Sequence, residues 1–352
     1  MHARCNTSRN RRCASLLLGV ASVTGMSVQG DNHRARNATH QSDDASSGVW
    51  LQIKRLIRDF RCHSIFLDVG SNVGVQIRKL FEPSLYAGKD PRMPWLAKVF
   101  DLRREPTDAE RDAGIVTGSL FWNTTALVLP VFDKYFGPAP RCGVCAIGIE
   151  PNPKHTARHA EMQAALRAAG MGVLWLSATA ADVADGSTTL NLAGGGGMVV
   201  NDVGMRAEPV TSSKASRAVT DSIVRVATLD LAKMVLFVRS LLLPPPPRLD
   251  RSSGTPRSRL VMKIDTEGAE YALLPHLLER KAACAADLIF LEWHPSPPPH
   301  GTAHQRAVRN RTLDALRRCE PGTVVSTIDD ETFLFDGKPL PTARLCGEPG
   351  EH

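Results

Sequence analysis

From residue 64 onward, short apolar runs alternate with stretches in which apolar residues return every three or four positions. That alternation is the pattern of a parallel sheet with helices on both faces. It predicts strands over 64–69, 145–150, 173–178, 223–227, 260–265, 287–292, 324–327 and 332–335. Helices are expected over 75–81, 153–169, 230–242, 269–283 and 302–319. Ahead of them, Val49, Ile53, Leu56, Ile57 and Phe60 recur at helical spacing, opposite Lys54, Arg55, Arg58 and Asp59. This is an amphipathic helix leading into a doubly wound α/β domain over 49–340.

Several segments fall outside the pattern. Residues 83–140 are far longer than a usual connection of ~2–6 residues and read as an insertion after the first helix, with some structure of its own given Trp95, Trp122 and Phe132. Residues 244–259 run from four prolines into a basic stretch and read as an exposed linker. The glycines at 194–197 lack a strand-to-helix setting, so a flexible loop is expected rather than a phosphate cradle. Residues 31–48 form a polar, flexible stem and 341–352 a tail.

The first 30 residues follow different rules. Positions 1–12 are basic and 14–28 moderately apolar, and Val28, Gln29 and Gly30 offer a cleavage site. That order matches a secretory signal peptide, with a mitochondrial or plastid transit peptide and an uncleaved N-terminal anchor as alternatives. The acceptor triplets beginning at Asn37, Asn123 and Asn310 agree with the secretory reading.

Charge and composition narrow the classes. The net charge is +7, but the leader holds four arginines and no acid, leaving +3 for the other 322 residues. So small a basic excess gives no reason to expect a nucleic-acid partner. With 43% hydrophobic and 22% charged residues the chain is ordinary globular material, and no run reaches the ~18 apolar residues of a membrane span. Once the leader's Cys5 and Cys13 are set aside, six cysteines remain. They allow three disulfides in any of 15 pairings, or six buried thiols. Cys142 and Cys145 form a CxxC that runs into a strand without a second pair nearby, which points to structure rather than zinc or redox chemistry.

The chemistry gathers where strands end. Residues 64–74 read SIFLDVGSNVG: a strand, then Asp68, Gly70, Asn72 and Gly74, then a helix. Glycine after a strand permits a sharp turn and a close ligand approach. Asn72 stands where a dinucleotide fingerprint has its second glycine, and Asp68 would repel a pyrophosphate while attracting an ammonium or sulfonium charge. Glu150, at the end of the second strand, suits a bidentate bond to ribose hydroxyls. Lys263 and Asp265 lie in a strand buried on both faces, where charges require partners or a function. Strand pattern pairs Lys263 with Glu292 and leaves Asp265 for the ligand. Asp68, Glu150, Asp265, Glu292 and His294 all fall at strand carboxyl ends, where open parallel sheets bind ligands.

Taken in order, DVGSNVG, IGIEPNP, VATLDLA, VMKIDTEGAEYALL and IFLEWH resemble the FkbM-type S-adenosylmethionine-dependent methyltransferases over roughly residues 64–294. The resemblance implies a class I methyltransferase fold: a seven-stranded, mostly parallel sheet with one antiparallel edge strand. It implies S-adenosyl-L-methionine as cofactor and O-methylation of a hydroxylated acceptor such as a sugar or glycan. Carried onto this chain, Asp68, Gly70, Asn72 and Gly74 would hold the methionine end, Glu150 the ribose and Asp182 the adenine amino group. Asp265 would lie near the transferred methyl. Deprotonation of the acceptor falls to His294 as candidate base, with Asp265 second. A nicotinamide-dependent oxidoreductase and a non-catalytic binding protein of the same fold are the competing functions. The remaining temptation, His155 and His159 at i, i+4, shares a stripe with Met162 and Leu166. Core packing explains it better than a metal, and no metal site is expected.

Overall fold

The structure is a computed structural model that describes residues 48–86, 124–191, 198–200, 223–242, 258–294, 301–319, 323–327 and 338–347. The leader, nearly all of the stem, the glycine run, the proline run, the strand expected over 332–335 and the sequons at Asn37 and Asn123 lie outside the described residues.

Helix α1 covers residues 48–59, and β1 (Ser64–Val69) and α2 (Val75–Phe81) follow. Helix α3 (Thr124–Phe136) precedes β2 (Val144–Glu150), a 3-10 turn at Pro153–His155, α4 (Thr156–Ala168) and β3 (Gly172–Ser177). Then come β4 (Thr179–Asp182), β5 (Gly186–Asn191), β6 (Met198–Val200), β7 (Ile223–Asp230) and α5 (Leu231–Leu241). The chain continues through β8 (Leu260–Ile264), α6 (Glu270–Glu279), β9 (Leu288–Leu291), α7 (Gly301–Arg317) and β10 (Val324–Thr327).

Six of these strands form one sheet in the order β10-β9-β8-β1-β2-β3, every neighbour parallel. Side chains alternate between its faces, as the two-residue period of a strand requires. Ile65, Leu67, Ile147, Ile149, Met262 and Ile264 join one apolar layer, which α1, α5 and α6 complete with Ile53, Val235 and Leu274. Phe66, Ala146, Val173 and Val261 face the other way, under Ile77 of α2, Phe132 of α3 and Met162 of α4. Each large apolar side chain removed from water in this way contributes about 1.5–3 kcal/mol. The architecture is therefore α/β and Rossmann-like, with helices on both faces.

Three features differ from the sequence expectation. The strand expected at 223–227 runs on to Asp230 and leaves the main sheet. It sits in a second, four-stranded sheet ordered β4-β7-β5-β6, parallel to β4 and antiparallel to β5. Its burial alternates and Ile223 is exposed, which suits a sheet covered on one side only. Within the segment read as an insertion, α3 belongs to the core: the Phe132 ring meets Phe66 edge-on at 5.1 Å and Phe290 at 6.2 Å. Residues of the expected tail are fastened, since Leu345 and Cys346 donate their N–H groups to the Ala169 carbonyl.

The six cysteines form three disulfides, Cys62–Cys145, Cys142–Cys346 and Cys284–Cys319. The two members of the CxxC therefore point to different partners. Cys145 lies within β2 and its side chain enters one layer, whereas Cys142 precedes the strand and reaches the C-terminal segment.

Candidate functional site

The strand order runs 1-2-3 outward on one side and 8-9-10 on the other, so the order of connection reverses between the parallel strands β1 and β8. At such a reversal the helices leave opposite faces and open a crevice at the strand carboxyl ends. Asp68, Glu150, Asp265, Glu292 and His294 all stand at these ends.

The turn after β1 is built around Gly70, which has φ +82°. A Cβ at Gly70 would lie 1.6 Å from the Asp265 carbonyl oxygen, so no other residue fits. The Asp265 N–H in turn donates to the Val69 carbonyl at 2.9 Å, tying the ends of β1 and β8 together. Four of the loop's own N–H groups donate inside the protein. Those of Gly70 and Ser71 both donate to the Ile149 carbonyl at 3.0 Å, that of Gly74 donates to Ser71 at 2.8 Å, and that of Asn72 donates to Glu150 Oε2 at 2.7 Å. The Ser71 hydroxyl donates to Asp68 Oδ2 at 2.9 Å and accepts from the Trp175 indole at 3.1 Å. Those four amide hydrogens are therefore not available to a ligand, whereas Asp68 and Glu150 place carboxylates beside the turn.

Glu150 is buried and accepts from Asn152 N–H and Asn72 N–H, each at 2.7 Å. Burial nevertheless raises its carboxyl to about 7, helped by the charges of Asp68 and Asp265 and opposed by the two backbone bonds. Each carboxylate oxygen keeps a second lone pair, the capacity that ribose hydroxyls require.

Lys263 is buried and pairs with Asp265 Oδ2, not with Glu292 as strand pattern suggested. The reason lies in register. Phe290 is the residue opposite Lys263, and β9 ends at Leu291, before Glu292. Desolvation works against the ammonium, but Asp265, Asp68 and Glu292 outweigh it and hold Lys263 above its ordinary range.

His294 is the hub on the β9 side. Its Nδ1 lies 2.9 Å from Glu270 Oε1, and its backbone N–H donates to the same oxygen at 2.8 Å. Glu270 is fully buried, and its other oxygen accepts from Thr266 Oγ1 and Gly268 N–H. The outward Nε2 faces Glu292 at 3.4 Å, Asp265 at 3.6 Å and Glu267 at 3.7 Å. Burial disfavours the imidazolium, yet bonds to Glu270 and Glu292 and their charges push His294 up to about 11. The ring therefore carries two protons at neutral pH. Asp265, Glu267 and His294 each bring a ligand atom within 4.8 Å of the others, a spacing open to a divalent cation. Because Glu267 is half exposed and such acidic groups commonly occur without an ion, no metal is assigned.

Asp182 stands apart from this network. It ends β4 in the second sheet, and its Oδ1 accepts the N–H of Val183 at 2.7 Å. His159 is fully buried with both ring nitrogens engaged by Ser177 and Asn72, so the His155–His159 pair does not present a chelating face. Sequence reasoning missed Glu270, Ser71 and Trp175 as parts of the site. Of these, only Glu270 left a signal: an acid in the first turn of a helix, inside the motif that already held Asp265.

Comparisons with protein-family models, with curated proteins and with solved structures returned no match.

Proposed function

We propose that the chain is an S-adenosyl-L-methionine-dependent O-methyltransferase of the class I fold, acting on a hydroxyl of a sugar, glycan or glycolipid. One observation carries this reading. In the turn between β1 and α2 the N–H groups of Gly70, Ser71, Asn72 and Gly74 are bonded internally, and carboxylates surround the crevice. Such a site favours a ligand with hydroxyl donors and positive charge over a pyrophosphate, which argues against a nicotinamide dinucleotide. The resemblance of residues 64–294 to FkbM-type enzymes points the same way. The seventh strand and the antiparallel edge belong to this proposal, as does Asp182 as the adenine partner. The three disulfides support a secretory route.

The bound cofactor supplies a methyl group already activated by a sulfonium charge. Glu150 would accept hydrogen bonds from the ribose hydroxyls, while Asp68 and Asp265 would favour the positive sulfonium. An acceptor hydroxyl methylated in this crevice would have to give up its proton to a group of the chain. His294 already holds its proton, so the carboxylate of Asp265 is the first acceptor and His294 orients it from 3.6 Å.

A methyl-transfer assay with labelled cofactor across glycans, glycolipids and small hydroxylated acceptors tests the activity. Adenosylhomocysteine should raise the melting temperature and NAD should not. Stabilisation without transfer to any acceptor would favour a non-catalytic binding protein, and stabilisation by NAD alone an oxidoreductase.

A further inference from the structure

Four residues close a ring behind the cofactor crevice. Glu150 and Ser177 are register partners across β2 and β3. The Ser177 hydroxyl lies 2.8 Å from His159 Nδ1, and His159 Nε2 lies 2.6 Å from the Asn72 carbonyl oxygen. The Asn72 N–H returns to Glu150 Oε2 at 2.7 Å. A carbonyl can only accept, so Nε2 carries the proton and Nδ1 accepts from the serine. Burial lowers His159 to about 4, which keeps that single tautomer at neutral pH. The ring stacks on Trp175 at 5.3 Å and 7°, and the Trp175 indole grips the neighbouring Ser71.

Asn72 has φ +48°, in the left-handed region that asparagine enters more readily than other non-glycine residues, and the bond from His159 holds its carbonyl in that turn. The N–H that fixes Glu150 belongs to the preceding peptide, across the Asn72 Cα from the carbonyl that His159 holds, so the Asn72 backbone angles link the two. His159 is fully buried and Glu150 nearly so, and a buried imidazole bonded through both nitrogens is more than core filling requires, since Met162 and Leu166 fill the same stripe with apolar atoms.

We infer that His159 is a positioning residue: through the Asn72 backbone it sets the orientation of the Glu150 carboxylate and thereby the grip on ribose hydroxyls. The ribose part rests on the proposed function; the action on Glu150 does not.

The ligand-free test is carboxyl NMR titration of Glu150 in the full chain. Asp68 and Asp265 are the charged groups that act on Glu150, and neither is altered. His159→Leu removes both hydrogen bonds, so the Asn72 N–H loosens and the Glu150 midpoint rises above its starting value near 7. His159→Gln keeps a donor and an acceptor and should restore it. Ser177→Ala, a milder change, should shift the midpoint in the same direction should the leucine variant fail to fold. A midpoint unmoved in every folded variant overturns the inference.

The second test is a double-mutant cycle read by adenosylhomocysteine affinity. His159→Leu should weaken binding about tenfold in the wild-type background and less than twofold in a Glu150→Ala background. Equal effects in both backgrounds would mean that His159 acts by another route. If adenosylhomocysteine fails to bind the unaltered chain, the cofactor assignment falls, and the Glu150 titration still decides the role of His159.

Discussion

Asp68 and Lys263 face each other directly across the parallel register of β1 and β8. Both are buried, and both sit on the sheet face that carries Phe66 and Val261 one step earlier. Lys263 reaches on to Asp265, so one ammonium offsets acids on two sides. Lys263→Met strands those carboxylates and should cost about 3–5 kcal/mol in urea unfolding. Adding Asp265→Asn should recover part of the loss. A single variant within about 0.5 kcal/mol of the wild type would show that the pair contributes nothing to stability.

Glu150→Ala should weaken adenosylhomocysteine by about 1–3 kcal/mol, the cost of hydroxyls left without an acceptor. Its raised carboxyl adds a pH signature. Only the ionised form accepts two hydroxyls freely, and with a midpoint near 7 that form dominates above pH 7 and fades below it. Affinity in the wild type should therefore rise roughly tenfold between pH 6 and pH 8, and the alanine variant should lose that slope. Calorimetric titration at the two pH values checks both points.

His294 should remain an imidazolium to about pH 9, visible as a constant ring shift in NMR titration. Its folded value lies above the unfolded value near 6.5, so the stability it contributes is complete below pH 6.5 and is lost as pH rises towards 11. The destabilisation caused by His294→Gln should accordingly shrink between pH 7 and pH 10. A penalty that grew with pH would reverse the sign and remove the charge from the ring.

The Cys142–Cys346 bond joins residues 204 apart and secures the segment from Lys338 onward, whose first two carbonyls accept from the buried Arg78 guanidinium. Replacing both cysteines with serine should cost about 2–5 kcal/mol. Hydrogen exchange at Leu345 and Cys346, both bonded to Ala169, should quicken more than at the sheet strands. Removing Cys284 and Cys319 instead should leave those two amides protected.

Local pattern was enough to draw β1, α2 and β10 with the ends they have, because burial on alternating or 3.6-residue periods is a property of neighbouring residues. It was also enough to gather Asp68, Glu150, Asp265 and His294 at strand ends. An acid just before a glycine turn, or just past an apolar run, has few other places to go. The second sheet was less legible, since 179–182 and 186–191 are short, polar and only half buried.

What the sequence determined by itself was the layered α/β order, the glycine turn at Gly70 and the face of each strand, all consequences of sterics and burial within a few residues. Tertiary structure alone decided who meets whom. It chose one disulfide pairing among 15, gave Lys263 to Asp265 instead of Glu292, and set Glu270 beneath His294 so that the ring keeps its proton. These outcomes depend on register and depth between segments tens to hundreds of residues apart. Charge–charge energies change steeply over a few ångströms of such placement, and no periodicity in the chain records it.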